Sequence, residues 1–309
     1  MPDFKEIYVE RYKKLLGDEW DIFKEAIVRP FPSSFRINTI KAKRSEVVEN
    51  LEQKGWKIKQ IPFYENGYYF YEAKAVVLGN TLEHFLGHFY IQETASMIPA
   101  VLLAPNEEDC VLDLAAAPGS KTTQMAEMMK NEGAIVANEK VLGRLTALRM
   151  NLQRCGVINT VLTQMDGRAF RRIEMQFDKI LLDAPCTGTG TIMKSPHTIK
   201  TWSVKASQIL GRLQRQLLES AVHVLKPGGT LVYSTCSLEP EEDEENVDFA
   251  VKELGLKVEQ VHIPGFKTRE GITSWEGKNY DESIRKCLRI YPQDNNTEGF
   301  FAAKLKKEG

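Results

Sequence analysis

The chain has 309 residues, room for one large domain and a smaller one. Hydrophobic residues make up 42% and charged residues 27%, the balance of a soluble globular protein, and no apolar run approaches the length of a membrane span. Net charge is −1, yet residues 239–245, EPEEDEE, hold six acids and no base, so the remainder of the chain stands at +5 and any nucleic-acid surface has to be a local patch.

The N-terminus mixes acids with bases and has no apolar signal core. The five cysteines, Cys110, Cys155, Cys186, Cys236 and Cys287, are odd in number, widely scattered and never in C-x-x-C spacing. That argues against a disulfide framework and a metal site and for a reducing cytoplasm.

Residues 1–90 read as a small α+β module. A helix is predicted over 11–29, where Leu15, Leu16, Trp20, Phe23 and Ile27 recur near helical spacing before Pro30 and Pro32. Strand 33–40, helix 44–55 and strands 56–61 and 67–72 follow. Residues 91–309 read as the larger domain, and from about 110 its pattern becomes strand–helix alternation. Strands are predicted over 111–116, 134–139, 160–164, 177–184 and 230–237. Helices are predicted from Ser120, over 141–156, over 204–225 and over 242–254. This is the signature of a parallel sheet covered on both faces. Strands 256–261 and 300–305 lack a helix between them and read as an antiparallel pair at one edge. The intervening 262–298 reads as an irregular insertion.

DLAAAPGSKT (113–122) follows a strand and opens a helix. Small residues let the backbone approach a ligand, and the free N–H groups of the helix face it. Glu139 ends the second strand, where an acid suits the two hydroxyls of a ribose; capping the next helix is its alternative role. Asp166 follows the third strand and suits an adenine amino group, with a turn before Gly167 as the alternative. The loop has neither a G-x-x-x-x-G-K-[ST] nor a G-x-G-x-x-G pattern, so an adenosine sulfonium fits better than a nucleotide.

Two cysteines follow strands on that same edge, in DAPCTGTG (183–190) and STCS (234–237). Asp183, Cys186 and Cys236 are therefore expected to meet the ligand. Cytosine C5 is a poor nucleophile. A thiolate adding to C6 makes C5 enamine-like, able to take a methyl group from a sulfonium. A carboxyl such as Asp183 suits N3 of the ring, and a base then removes the C5 proton. Either cysteine could be the nucleophile on this reading, and the acids at 239–245 would raise the pKa of Cys236 if they pointed at it.

These motifs, with RINT (36–39), YIQETASMIPAVLL (90–103) and RIYPQDNNTEGFFAAKL (289–305), resemble the Sun family of RNA (cytosine-5) methyltransferases across roughly 30–305, and most of all its archaeal tRNA members. The resemblance implies a Rossmann-like class I methyltransferase fold, α/β with a seven-stranded mostly parallel sheet, behind a small N-terminal α+β RNA-binding module. It implies S-adenosylmethionine as cofactor, lined by Ala115, Ala116, Ala117, Pro118, Gly119, Ser120 and Lys121. Glu139 would hold the ribose, Asp166 the adenine, Arg144 would lie near, and Asp183 would stand beside the methyl donor. It makes Cys236 the nucleophile and Cys186 the group that assists release. DNA cytosine-5 methyltransferases use the cysteine of a Pro-Cys pair, which would have favoured Cys186. Ser120 replaces a usual glycine, and Ala116 lies where Cys or Ser often begins the stretch. Relatives often carry a further RNA-binding domain; here substrate choice is expected to rest on residues 1–90 and the catalytic face.

The expected partner is RNA, tRNA first and rRNA second, with no membrane and a monomeric state. Candidate phosphate contacts are Arg36, Lys41, Lys43, Arg44, Arg168, Arg171, Arg172 and Lys194, the 168–172 cluster foremost. Tyr68, Tyr69 and Tyr71 are candidates for base stacking, with alternating strand residues as the alternative. Two rival readings are an exocyclic-amine methyltransferase, which needs no thiol, and an RNA-binding assembly factor without catalysis.

Overall fold

The computed structural model describes residues 4–72 and 77–309. The predicted 11–29 helix is two helices, α1 (Glu6–Leu16) and α2 (Trp20–Ala26), parted by a tight turn that Gly17 opens with φ 57°. Next come β1 (Ser33–Ile37), α3 (Arg44–Gln53), β2 (Lys57–Ile61), β3 (Tyr64–Glu72), α4 (Leu82–Leu86) and β4 (Phe89–Ile91). The four strands form an antiparallel sheet in the order β2-β3-β1-β4. One face packs Phe35, Ile37, Tyr68 and Phe89 against Val47 and Leu51 of α3 and against Trp56. The tyrosines alternate as strand residues do: Tyr68 is buried and Tyr71 is exposed.

The second body runs α5 (Ile98–Leu103), β5 (Cys110–Asp113), α6 (Ser120–Met128), β6 (Ala134–Asn138), α7 (Leu142–Cys155), β7 (Thr160–Thr163) and β8 (Phe177–Asp183). It continues with α8 (His197–Thr201), α9 (Val204–Val224), β9 (Leu225–Thr235), α10 (Glu244–Lys252), β10 (Leu256–Val258), β11 (Arg269–Glu270), β12 (Ser274–Trp275), β13 (Lys278–Asn279), β14 (Leu288–Ile290), α11 (Pro292–Asn295) and β15 (Phe300–Lys307). Strands β5 to β9 are parallel, and the sheet order is β7-β6-β5-β8-β9-β15-β14-β11. Strand β15 is antiparallel to β9 on one side and to both β14 and β10 on the other.

Side chains alternate between two cores, as a sheet buried on both faces requires. Leu112, Ile180, Leu182, Leu231 and Tyr233 pack with Leu217, Leu218, Ala221 and Val224 of α9. Val111, Leu181 and Val232 face the other way, onto Ile98, Leu102, Met125 and Met129.

The antiparallel pairing of β10 with β15 agrees with expectation, but the 262–298 segment is not irregular. It contributes β14 to the main sheet and a small β12–β13 hairpin. Strand β14 hides in the sequence because it is three residues long with a charge at its centre. The side chain of Arg289 is buried and bonded to Glu244, with Nη2 to Oε2 at 2.6 Å.

Helices α1 and α2 do not join the first sheet. Tyr8, Tyr12, Trp20, Phe23 and Ile27 pack instead against Ile192, Ile199, Trp202, Leu238 and Tyr291 of the second body. Arg11 draws on the acidic run: its Nε donates to Glu239 at 2.8 Å and its Nη2 to Glu241, while the Tyr12 hydroxyl donates to Glu239 at 2.8 Å.

Candidate active site

Five strand ends build the site, those of β5, β6, β7, β8 and β9. Beyond β5 the backbone turns through 114–119 into α6, and Gly119 takes φ 102°. A Cβ there would stand 2.8 Å from Cδ1 of Leu148, so this residue has both a conformational and a packing reason to be glycine. Asn138, at the end of β6, donates to the carbonyls of Leu114 and Met165 at 3.1 Å each and accepts from Thr163 and from the Met165 N–H. It ties three neighbouring strand ends together, a role the sequence reading did not assign.

Glu139 is almost wholly buried. Its Oε1 accepts from the Val141 N–H at 2.8 Å, and Arg144 stands 3.5 Å from Oε2. It braces the turn ahead of α7 without capping the helix, whose N-cap is Val141, and it also lines the cavity described below. Arg144 donates to the Ala117 carbonyl at 2.8 Å, fixing the turn from outside. Asp166 accepts three hydrogen bonds from Arg168, the shortest at 2.7 Å, and one from Lys140 at 2.8 Å. The Arg168 bonds are the main reason its carboxyl titrates far below the usual carboxylate range.

Asp183, at the end of β8, accepts from Lys121 Nζ at 2.7 Å on Oδ2 and from the Ser234 hydroxyl at 2.8 Å on Oδ1. Lys121 is buried, which works against its charge, but Asp183 outweighs this and holds its pKa above the ordinary lysine value. Its ammonium also donates to Ser96 Oγ at 3.0 Å. Asp113 has an Oδ1 with no hydrogen-bond partner, and burial pushes its carboxyl up to about 7.

Cys186 and Cys236 lie with their sulfurs 3.3 Å apart. The bond to Cys236, then burial, pushes the Cys186 thiol well up. The acidic run turns inward onto partners of its own. Asp243 accepts from Thr235, Glu244 binds Arg289, and Glu245 binds Arg215 and Lys278. Glu242 accepts from Thr187, Gln214 and Ser237.

Two cavities meet at this rim. The first, about 480 Å³, is lined by Ala115, Ala117, Glu139, Arg144, Asp166, Asp183 and both cysteines, with Leu213 and Leu217 as apolar wall. The second, about 200 Å³, is lined by Ser96, Asp113, Lys121, Asp183, Thr191, Cys236, Glu298 and Phe300. Ala116, Pro118 and Ser120 of the predicted cofactor stretch line this second cavity only. Cys236 belongs to both cavities and Cys186 to the first alone. Sequence reasoning missed the far wall of the second cavity. That wall is Glu298 and Phe300; Lys194 pairs with Glu298 at 2.8 Å, and outside the lining Glu93 accepts from Thr297 and from the Glu298 N–H. Burial and the Glu298 charge push the Glu93 carboxyl up to about 7. Ser96, Glu298 and Phe300 all lay inside quoted motifs, but nothing in their spacing set them apart.

The structure revises the predicted RNA contacts. Arg36 is wholly buried, bonded to Glu127 at 2.6 Å and Thr123 at 2.8 Å, and it joins the first sheet to α6. Arg168 is committed to Asp166 and Gln216. Lys43 and Arg44 pair with Glu46 and Glu65. Tyr68 is a core residue, and Lys41 is exposed.

The first cavity suits adenosine: acceptors on two successive strand ends match hydroxyl and amino donors, with aliphatic side chains between them. Sheet order, glycine turn and these acids together define a class I S-adenosylmethionine-dependent methyltransferase. A profile described as 16S rRNA methyltransferase RsmB/F matches residues 100–306, and one for the N-terminal domain of 16S rRNA methyltransferase RsmF matches 4–94. The chain belongs to the RsmB/F family, and it is an RNA (cytosine-5) methyltransferase.

It is 44% identical over 308 residues to the tRNA (cytosine(49)-C(5))-methyltransferase of Pyrococcus abyssi, covering 99% of this chain and 98% of that one. It is 44% identical over 289 residues to ribosomal RNA small subunit methyltransferase F of Vibrio parahaemolyticus, covering 92% of this chain but 59% of that longer one. Among solved structures, a methyltransferase homolog from Pyrococcus horikoshii superposes with TM-score 0.89 at 37% identity, covering 98% and 95% of the two chains. NSun6 from the same organism, with SFG, gives 0.87 at 28% identity and covers 100% and 99%.

Proposed function

We propose that this enzyme methylates C5 of a cytosine in tRNA, with Cys236 as the attacking thiol. The observation that carries the reading is the position of Cys236 at the junction of the two cavities, 3.3 Å from a second thiol that borders only the first. The target base enters the second cavity after leaving its stack. S-adenosylmethionine would be held in the first cavity by Ala115, Ala117, Glu139 and Asp166, and would supply an electrophilic methyl group.

Cys236 Sγ adds to C6, and the displaced electron pair makes C5 nucleophilic. Charge developing on the ring meets the Lys121–Asp183 pair, which is already fixed by Ser96 and Ser234 and needs no reorganisation. After methylation the C5 proton goes to a base, and the returning electron pair expels the Cys236 thiolate. Cys186, in hydrogen-bond contact with that sulfur, assists this release.

Two facts favour tRNA. The P. abyssi enzyme named for tRNA matches this chain end to end, whereas the rRNA enzymes are much longer. Residues 1–90 act in this reading as the RNA-binding module and 91–309 as the catalytic domain. Exposed Lys41 and Tyr71 belong to that module's RNA-facing surface. Among the described residues no helix is long and apolar enough to cross a membrane. A monomer in the cytoplasm, where thiols stay reduced, completes the proposal.

The test uses tRNA transcripts carrying 5-fluorocytosine, with a 16S rRNA fragment alongside. Wild type with cofactor is expected to form a covalent adduct on tRNA, and Cys236→Ala none. Cys186→Ala should accumulate an adduct on ordinary RNA. Adduct loss in Cys186→Ala but not in Cys236→Ala would reverse the roles, and methylation confined to the rRNA fragment would exclude tRNA.

A further inference from the structure

Glu242 is completely buried but borders neither cavity. Its Oε2 accepts from the Thr187 N–H at 2.8 Å and from Gln214 Nε2 at 3.1 Å. Its Oε1 accepts from the Ser237 hydroxyl at 3.0 Å and from the Thr187 hydroxyl. Thr187 directly follows Cys186, and Ser237 directly follows Cys236. One carboxylate thus grips the residue after each thiol. Gln214 also donates to the Pro185 carbonyl at 2.8 Å, so the Cys186 loop is held on both sides of the sulfur.

The strand of Cys236 has further anchors, among them the pairing of Thr235 with Phe301 in β15 and the Gly190 N–H on the Cys236 carbonyl at 2.9 Å. The loop of Cys186 leans more heavily on Glu242. We infer that Glu242 is a positioning residue that keeps Cys186 against Cys236, and so governs release of the methylated base more than attack on it. The inference rests on the assignment of release to Cys186.

The carboxylate accepts all four bonds, whereas an alanine methyl accepts none. Glu242→Ala should therefore let the Cys186 loop shift while Cys236 stays in place. With a tRNA transcript of ordinary cytosines, turnover should fall about 10- to 100-fold, single-turnover adduct formation should stay within about threefold of wild type, and covalent adduct should accumulate. Glu242→Ala combined with Cys186→Ala should behave like Cys186→Ala alone. Adduct formation and turnover falling together, or losses that multiply in the double variant, would overturn the inference. Thr187→Val, which keeps the N–H and loses the hydroxyl, carries the same test if Glu242→Ala fails to fold: accumulation supports the inference and its absence overturns it. If Cys186→Ala itself accumulates no adduct, the release role falls and this inference with it; accumulation there but in neither loop variant removes the inference alone.

Discussion

Glu139 carries two duties on one carboxylate, an N–H bond into the start of α7 and a place in the wall of the larger cavity. The duties separate experimentally. Loss of a charge-assisted bond to a ligand costs about 1.5–3 kcal/mol, whereas a lost turn hydrogen bond costs about 1 kcal/mol of stability. Glu139→Ala is expected to weaken S-adenosylmethionine binding about 10- to 100-fold by calorimetry, with a melting point only slightly lower. Unchanged affinity would leave Glu139 as a brace for the turn alone. The gathering of these acids and thiols was legible in the sequence because each lies at a strand end or within three residues of one, and strand ends of a parallel sheet share one crevice. Arg36 was misread for a related reason. An arginine beside other bases looks like a phosphate contact, and only the fold brings Glu127, 91 positions away, onto it.

At the scale of elements, strand–helix alternation was readable from 110 to 254 because buried parallel strands leave unmistakable apolar runs. Strand β14 was not, since it is three residues built around a buried arginine. The acidic run, which the sequence presents only as a bias in net charge and a threat to the Cys236 thiolate, has most of its acids buried, and two of them anchor α1 through Arg11. Removing one partner of a buried ion pair leaves an uncompensated charge, at about 3–5 kcal/mol. Arg11→Ala should therefore lower unfolding stability by about that amount in denaturant titration. Arg11→Lys should recover little, because a single ammonium cannot reproduce the guanidinium fork. A loss below about 1 kcal/mol would mean that α1 is held by its aromatic face alone.

Across the whole molecule, three buried carboxyls, Glu93, Asp113 and Glu242, are pushed up to about 7, chiefly by burial. In the unfolded chain they titrate near 4. Between these values the native state binds more protons than the unfolded state, so stability falls as pH rises. Asp166 and Asp294 are held low and lose their contribution only in stronger acid. The ligand-free protein should accordingly melt several degrees higher at pH 5.5 than at pH 8, measured calorimetrically; an unchanged melting point over that interval would show these groups ionised throughout. The clasp between α1 and the acidic run also bears on synthesis. Arg11 and Glu239 are 228 positions apart. At ordinary translation speed, about 10–50 s separates their emergence from the ribosome. For most of that interval the aromatic stripe of the first helix lacks its docking surface, since Ile192, Ile199 and Trp202 emerge only shortly before Glu239, and Tyr291 after it, so the first segment made completes its packing among the last.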